Sequence, residues 1–546
     1  MNGALLRAWR QPLSLALLLI ACQPNTRAAS APAAAAPLAS SPPPRSPAPA
    51  PSPELQARSA MFQRLVRDIR AYHVFPEAWS EQDWSADVPR LERMVLDAPD
   101  RATLLIALSR VSGSLRDGHL GFIPTGGWPS TGIAVLPIGL FQTGSALEPA
   151  FIVRRAAPET GLAVGDQLVS YDGIEVSHLL DHFRFELDRA SPGARATRLT
   201  ELLQWRRTET HPGVMGSSVA LRVQREGQLV DATLAFAPNA PPPPTSTPDG
   251  PVCRGPRRDY GPDYLLVEAS PRVCLYRGLD AQHRPYPIVR HVSFLYNAPD
   301  GIDHEAIQAD HELVRRFLAD TPHLAGLFLD LRDNNGGHHA DLFLPWYLPQ
   351  PYAGSQRWIR LHPDLDDRLR LAQALWNTAA ADEYVRRAAR GDTWWVAPFD
   401  CAPSECPPQT DALLTRAPIA LWVGPSCLSS CDNFVYIWTQ QHRGPTVGAP
   451  AAAMATSNRY PIEVRLDDEP LGDLTVALSG TRASEQSPWL EGNPAPVDHP
   501  VEPSWPESGY AQRMVEVSIE ALGTARASRT QSHERASKRA ARPPLR

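Results

Sequence analysis

Two short segments of this 546-residue chain carry residue types that could do nucleophilic chemistry. Pro425-Ser-Cys-Leu-Ser-Ser-Cys-Asp-Asn-Phe434 clusters Ser426, Ser429 and Ser430 where a strand pattern gives way to a helical one. Gly326-Leu-Phe-Leu-Asp-Leu-Arg-Asp-Asn-Asn-Gly-Gly337 reads as a buried strand running into a glycine turn. A serine is a weak nucleophile until a base takes its proton and fixed donors stabilise the oxyanion. The first amides of a helix are such donors, and a Gly-Gly turn is a second place to find them. The local alternative is that the serines merely cap the helix, with Ser430 or Asp432 as N-cap. Gly424-Pro-Ser-Cys-Leu428 lacks the final glycine of a G-x-S-x-G elbow, which argues against an α/β-hydrolase. The only lysine in the chain is Lys538, in the basic C-terminal stretch, so any base must be another residue type.

The elements that position these segments can be read from periodicity. Met61, Leu65 and Ile69 are four apart, and Leu91, Met94 and Val95 begin a second amphipathic run. A third run, Ala102 to Leu115, leads into Arg116-Asp-Gly-His-Leu120, so residues 54–128 read as a helical domain. Residues 129–238 switch to short strands. Among them are Pro137 to Phe141, Gln167 to Tyr171 with an Asp172-Gly173 turn, and a closing hairpin over Val219 to Val230. A proline run at 239–251 is a linker, and 252–524 alternates strand and helix as one α/β domain.

Charge is near balance, with 53 basic and 59 acidic residues, so nothing calls for a nucleic-acid partner. Arg7 and Arg10 precede an apolar run from Leu13 to Ala21 that is too short to span a bilayer. Leu19-Ile-Ala-Cys22 resembles a bacterial lipoprotein box, which implies a signal peptide over 1–22 and a lipid anchor on Cys22. Ordinary secretion is the alternative. The glutamine that follows the cysteine implies an outer-membrane lipoprotein facing the periplasm. Residues 23–53 are an Ala/Pro-rich tether, and 525–546 a basic tail expected to be disordered. Export leaves six cysteines, an even number that favours disulfides over metal. Cys253 with Cys274 and Cys401 with Cys406 are local pairs, and Cys427 and Cys431 could staple the serine turn. No metal or cofactor is expected. His304 and His311, seven apart among acids, read as a solvated helix face.

The order of these features is similar to the S41 peptidase family, the C-terminal-processing or tail-specific proteases, with tricorn core as a more distant branch. The resemblance covers roughly residues 55 to 520 and is most specific over Leu329 to Gly337. It implies a multidomain α/β protein with an N-terminal helical segment, a PDZ-like β module and a crotonase/ClpP-like catalytic domain. It also implies a serine endopeptidase acting on protein or peptide substrates through an acyl-enzyme. Counting back three from Asp432 gives Ser429 as nucleophile, with oxyanion amides at Gly336 or Gly337 and at Ser430. The processing branch uses a lysine, but Val447 to Ala455 holds none. The tricorn-like branch uses a histidine that matches His119, oriented by a neighbouring hydroxyl and a late glutamate. Gly118 stands where that hydroxyl is expected, and the late acid is Glu491, with Asp498 as the other choice. The β module would take a peptide strand and hold its carboxylate near Ile138, Gly139 and Leu140. A catalytically inactive relative that binds peptides or apolar ligands is the alternative.

Overall fold

Strands buried on both faces of a parallel sheet read as unbroken apolar runs, and two such runs form the centre of this fold. Leu327–Asp330 and Ile419–Val423 are buried at every position and pair in parallel, with Leu329 opposite Leu421 and Asp330 opposite Trp422. The computed structural model describes residues 52–540, apart from 75–80, 129–131, 239–259, 299–300, 322, 349–355, 376–377, 399–417 and 483. The expected signal peptide with Cys22, nearly all of the tether, the 239–251 linker, and Cys253, Cys401 and Cys406 lie outside the described residues.

Seven strands make the central sheet, in the order Tyr264–Ala269, Val273–Gly278, Ile288–His291, Leu327–Asp330, Ile419–Val423, Thr446–Gly448 and His499–Pro500. The first three are antiparallel neighbours, and from Ile288–His291 onward every pairing is parallel. Chain segments following neighbouring parallel strands leave from the same end of the sheet, which is where α/β proteins build their sites. Three of those exits matter here: the glycine turn after Asp330, the serine turn after Val423, and the stretch Ala451–Thr456 after Gly448.

Residues 133–238 close a core of their own around Phe151, Leu168, Leu199 and Leu221. Five strands lie in the order Ile138–Gly144, Pro149–Ala156, Gln167–Tyr171, Ser218–Arg225, Gln228–Ala235, with Ile174–Glu175 paired to the third. Asp172 and Gly173 have φ of 51° and 78°, and Glu226 and Gly227 have φ of 49° and 84°. Positive φ at both central residues matches the right-handed twist of the strands that such a turn joins.

The helices Pro53–Tyr72, Glu81–Leu96 and Arg101–Ser114 do not enclose a separate core. Phe62, Leu65, Leu91 and Leu108 share one cluster with Tyr384, Leu474 and Leu478. A lone amphipathic helix has one apolar stripe to cover. The cover comes from the long hairpin Ser457–Leu466 and Glu469–Arg482, so the division at residue 128 does not isolate a helical domain. The tail also differs from expectation. The last helix runs Glu507–Ala540, through most of the stretch expected to be disordered. That stretch lacks glycine and proline between Ala525 and Ala540 and is rich in Ala and Arg, both good helix formers.

His311 is not on a solvated face. It is buried against Trp346, with ring centroids 4.9 Å apart, and Asp310 beside it accepts a 2.6 Å bond from the Tyr296 hydroxyl. The helix His304–Ala319 turns this side to the aromatic cluster beneath the sheet, which the spacing of its acids concealed. Among the described residues no group of three or more metal-ligating side chains is assembled. Likewise no described helix is long and apolar enough to cross a membrane.

Candidate active site

Ser429 is the residue before the helix Ser430–Gln440 and has φ 62° and ψ −121°, a conformation an L-residue adopts only under constraint from its surroundings. It occupies the N-cap position, yet its hydroxyl makes no capping bond. The capping alternative therefore fails, both for Ser429 and for the two expected N-caps. Ser430 is the first helical residue, and Asp432 points elsewhere. What holds the turn is covalent and local. Cys427 and Cys431 form a disulfide with Cα atoms 5.3 Å apart, both fully buried. Closing so short a loop is worth about 2 kcal/mol by chain entropy. Cys274 is also disulfide-bonded, and its partner lies outside the described residues.

The glycine turn packs directly on this serine. Gly336 has φ 81°, and a Cβ there would overlap the Leu428 carbonyl oxygen and stand 2.9 Å from Ser429 Cβ. Its amide does not face a vacant position: it donates to Asn334 Oδ1 at 2.8 Å in a buried turn. Gly336 is thus corrected from an oxyanion donor to the residue whose bare Cα lets the serine turn approach. Among the described residues the amides of Gly337 and Ser430 make no hydrogen bond, and Ser430 N is 3.1 Å from that same absent Cβ. Upstream, Asp330 fixes the strand end by taking the Arg332 guanidinium and amide at 2.8–3.0 Å. His338, which follows the turn, commits Nε2 to the Tyr296 carbonyl at 2.8 Å.

The stretch Ala453–Thr456 is the hub of the site. The Ser429 amide donates to Met454 O at 3.0 Å. Asp432 accepts the amides of Ala453 and Met454 at 2.8 and 2.9 Å, and Glu491 accepts those of Ala455 and Thr456 at 2.7 and 3.2 Å. His119 reaches the same stretch from far away in sequence, its Nδ1 lying 3.1 Å from Thr456 Oγ1. It arrives there because Phe122–Pro124 pairs with one edge of the long strand Glu469–Arg482, whose other edge pairs with Ser457–Leu466. Thr475 pins the approach by bonding Gly121 through both its amide and its hydroxyl. Thr456 Oγ1 is also 2.8 Å from Asp117 Oδ1, which accepts the His119 amide at 3.0 Å.

Electrostatics divide the three buried acids. Burial alone would raise the Asp117 carboxyl, but the His119 and His73 side chains beside it outweigh burial and hold the group well below the ordinary range. Glu491 goes the other way. Burial, then the charge of Asp117, raise it well above the usual value despite its two amides. Its Oε1 is buried without a partner. Asp432 is pushed up to about 7 by burial, against the pull of the Met454 and Ala453 amides. Because that exceeds the ordinary 3.8, the folded protein holds a proton there that the unfolded chain has lost. Stability should therefore fall as pH rises from about 4 to about 7. Denaturant unfolding at pH 5 and pH 7.5 checks this: Asp432→Asn should flatten the dependence, and an unchanged slope would remove Asp432 as its source.

Two expectations about position need revision. Gly118 carries no orienting hydroxyl because there is no room for one: a Cβ would run into Met454 Cε, 2.6 Å from Arg189 Nη1 and 3.0 Å from Asp188 O. Thr456, just before the strand Ser457–Leu466, brings a hydroxyl to that place, a residue that sequence reasoning passes over. Its neighbourhood, Val447 to Ala455, had been read only for a lysine. Asp498 is no competitor for Glu491, since its carboxylate takes the Thr446 amide and hydroxyl at 2.9 and 3.0 Å. In the β module, Ile138 and Leu140 are core residues at 2 % and 3 % exposure, and the Leu140 amide already donates to Gln204 Oε1 at 2.9 Å. That segment is an edge strand rather than an open carboxylate loop, because the helix Pro192–Gln204 packs beside it. Ser191, just before the helix Pro192–Gln204, instead backs the hub: its amide and hydroxyl reach the carbonyls of Ala452 and Ala451 at 3.2 and 3.3 Å.

The chain has the CPAF fold. Mature CPAF complexed with lactacystin superposes with a TM-score of 0.64 at 14% identity, covering 87% of this chain and 100% of that one. Mature CPAF alone gives 0.64 at 15%, over 87% and 99%. Other structural neighbours include the photosystem II D1 C-terminal processing protease, at a TM-score of 0.36, 14% identity and 84% and 97% coverage, and a putative S41 protease from Bacteroides fragilis, at 0.35, 12% identity and 76% and 88% coverage. No family model matches the chain, and no curated protein matches it. The CPAF fold therefore enters through structure alone, with so little shared sequence that it carries no residue assignment.

Proposed function

We propose that this chain is a serine endopeptidase of the histidine-base, tricorn-like kind, acting on polypeptides through an acyl-enzyme. One observation carries the reading: an uncommitted serine in a strained turn and a partly exposed histidine hang on the same four residues, Ala453–Thr456. In the forward step His119 Nε2 takes the Ser429 hydroxyl proton as Oγ attacks the peptide carbonyl. The developing oxyanion faces the Ser430 and Gly337 amides. The imidazolium then gives its proton to the leaving amine, and water repeats the cycle on the ester. The β module, read as PDZ-like, presents the substrate as an extended strand.

A fluorophosphonate probe tests the chemistry. Labelling should map to Ser429 and disappear in Ser429→Ala, while an unlabelled but folded wild-type protein would leave only a peptide-binding relative. Labelling that survives Ser429→Ala but not Ser430→Ala or Ser426→Ala would move the nucleophile.

In this reading the enzyme is tethered through a lipid on Cys22 and faces the periplasm from the outer membrane. Radiolabelled palmitate should enter the wild-type protein and not Cys22→Ser. Equal labelling of the two would exclude that anchor.

A further inference from the structure

We propose that Thr456 and Asp117, rather than Glu491, orient the base, by fixing His119 in the tautomer that leaves Nε2 free to accept a proton. The proposal rests on the reading of Ser429 and His119 as nucleophile and base, and it follows from counting hydrogens. Asp117 Oδ1 lies 2.8 Å from Thr456 Oγ1, and an ionised carboxylate can only accept, so the single hydroxyl proton of Thr456 belongs to that bond. Thr456 Oγ1 then has only lone pairs left for its other neighbour. That neighbour is His119 Nδ1 at 3.1 Å, which must therefore be the protonated ring nitrogen. With Nδ1 carrying the hydrogen, Nε2 holds the lone pair that a general base needs. The reverse arrangement would set a bare hydroxyl oxygen against a carboxylate at 2.8 Å with no hydrogen between them.

The geometry also says why Glu491 does not do this. Glu491 Oε2 accepts the amides of Ala455 and Thr456, so it holds the backbone that carries the hydroxyl rather than the ring. Asp117 is fixed from three sides. It accepts the His119 amide at 3.0 Å, faces Thr456 Oγ1, and turns its second oxygen toward buried His73 Nε2 at 3.8 Å. The charged or titratable groups around His119 are Asp117 on its own turn, His73 behind it, and Glu491 beyond Thr456. Arg189 with Asp188 lies beside Gly118, and the Arg459 guanidinium is on the His119 carbonyl at 3.3 Å. Among the described residues Asp117 is the one acid paired with the His119 ring within 4 Å, at 3.6 Å from Nδ1. During turnover the imidazolium gains a second hydrogen at Nε2 while Nδ1–H stays on Thr456, and the Asp117 charge stabilises that cation through the hydroxyl. Thr456 and Asp117 are thus positioning residues, since neither touches the reacting atoms.

The test uses the full chain and the rate of fluorophosphonate labelling at Ser429 as a function of pH. Thr456→Val and Asp117→Asn should each slow labelling, by on the order of 10²-fold or more for the charge-removing variant, and should move the midpoint of the pH profile downward. Thr456→Ser, which keeps the hydroxyl, should restore both rate and midpoint. Wild-type rates and an unmoved midpoint in Thr456→Val and Asp117→Asn overturn the proposal, as does a midpoint that moves in Glu491→Gln instead. Nitrogen-15 spectra of histidine-labelled wild-type protein give a second reading that needs no variant to fold beyond the His119→Ala assignment control. A protonated Nδ1 in neutral His119 supports the proposal, and a protonated Nε2 sinks it even if Ser429 is labelled. Absence of any Ser429 labelling in wild-type protein defeats the peptidase reading separately, and the tautomer is still decided by the spectra.

Discussion

Gly336→Ala should cost the protein both stability and its serine chemistry. Two separate physical terms act at this position. The backbone is at φ 81°, where a Cβ is strained by about 1–2 kcal/mol. The new methyl would also meet the Leu428 carbonyl, Ser429 Cβ at 2.9 Å and Ser430 N at 3.1 Å. Overpacking of that kind adds about 1–3 kcal/mol. None of the three atoms is the mobile end of a flexible side chain, and the short disulfide on either side of Ser429 prevents the turn from moving away. The expected result is a loss of roughly 2–5 kcal/mol in denaturant unfolding together with loss of fluorophosphonate labelling. A variant with wild-type stability and labelling would mean that the two turns are not in contact as described. Gly337→Ala is a weaker probe of the same idea, because its crowding is against Phe294 and Leu295 rather than the serine.

His119→Ala should reduce peptide hydrolysis on the order of 10²-fold to 10⁴-fold, the usual worth of a positioned general base. The loss should fall on kcat, since substrate binding is assigned to other parts of the molecule. Some stability should be lost as well, because the ring helps to hold the buried Asp117 charge, although Asp117 keeps the amide of residue 119 and the Thr456 hydroxyl. Activity within about fivefold of wild type would exclude His119 as the base, whatever its place beside the hub.

The acids of the site show what a sequence leaves undetermined. Glu491 lies in the site, with its Oε2 on the amides of Ala455 and Thr456. Asp432 reads in the sequence as a candidate N-cap. The structure gives it a use that suits a short side chain: it spans from the first turn of the helix to two consecutive amides of the hub. Asp117 was quoted only as part of a turn motif, and Thr456 was not singled out at all. Their roles depend on which oxygens come within hydrogen-bond reach across a fold, and no spacing along the chain encodes that.

What could be read before folding was the chemistry confined to one element and its flanking turn. Unbroken apolar runs marked Leu327–Asp330 and Ile419–Val423 as buried strands, and the residues after them marked the glycine turn and the serine turn. Both readings depend on short-range rules: hydrophobic period, turn residues and the polarity of a helix start. The missing lysine was equally plain and directed attention to His119. Tertiary structure alone decided the rest. Parallel pairing sends three consecutive exits from one end of the sheet, so Gly336 meets Ser429 and Met454 takes the Ser429 amide. Strand pairing at Phe122–Pro124 carries His119 across more than 300 residues of chain to Thr456. Hydrogen-bond partners at such separations are chosen by the packing of strands and helices. The resemblance could therefore supply the candidates for this site, while only the fold could say which oxygen faces which nitrogen.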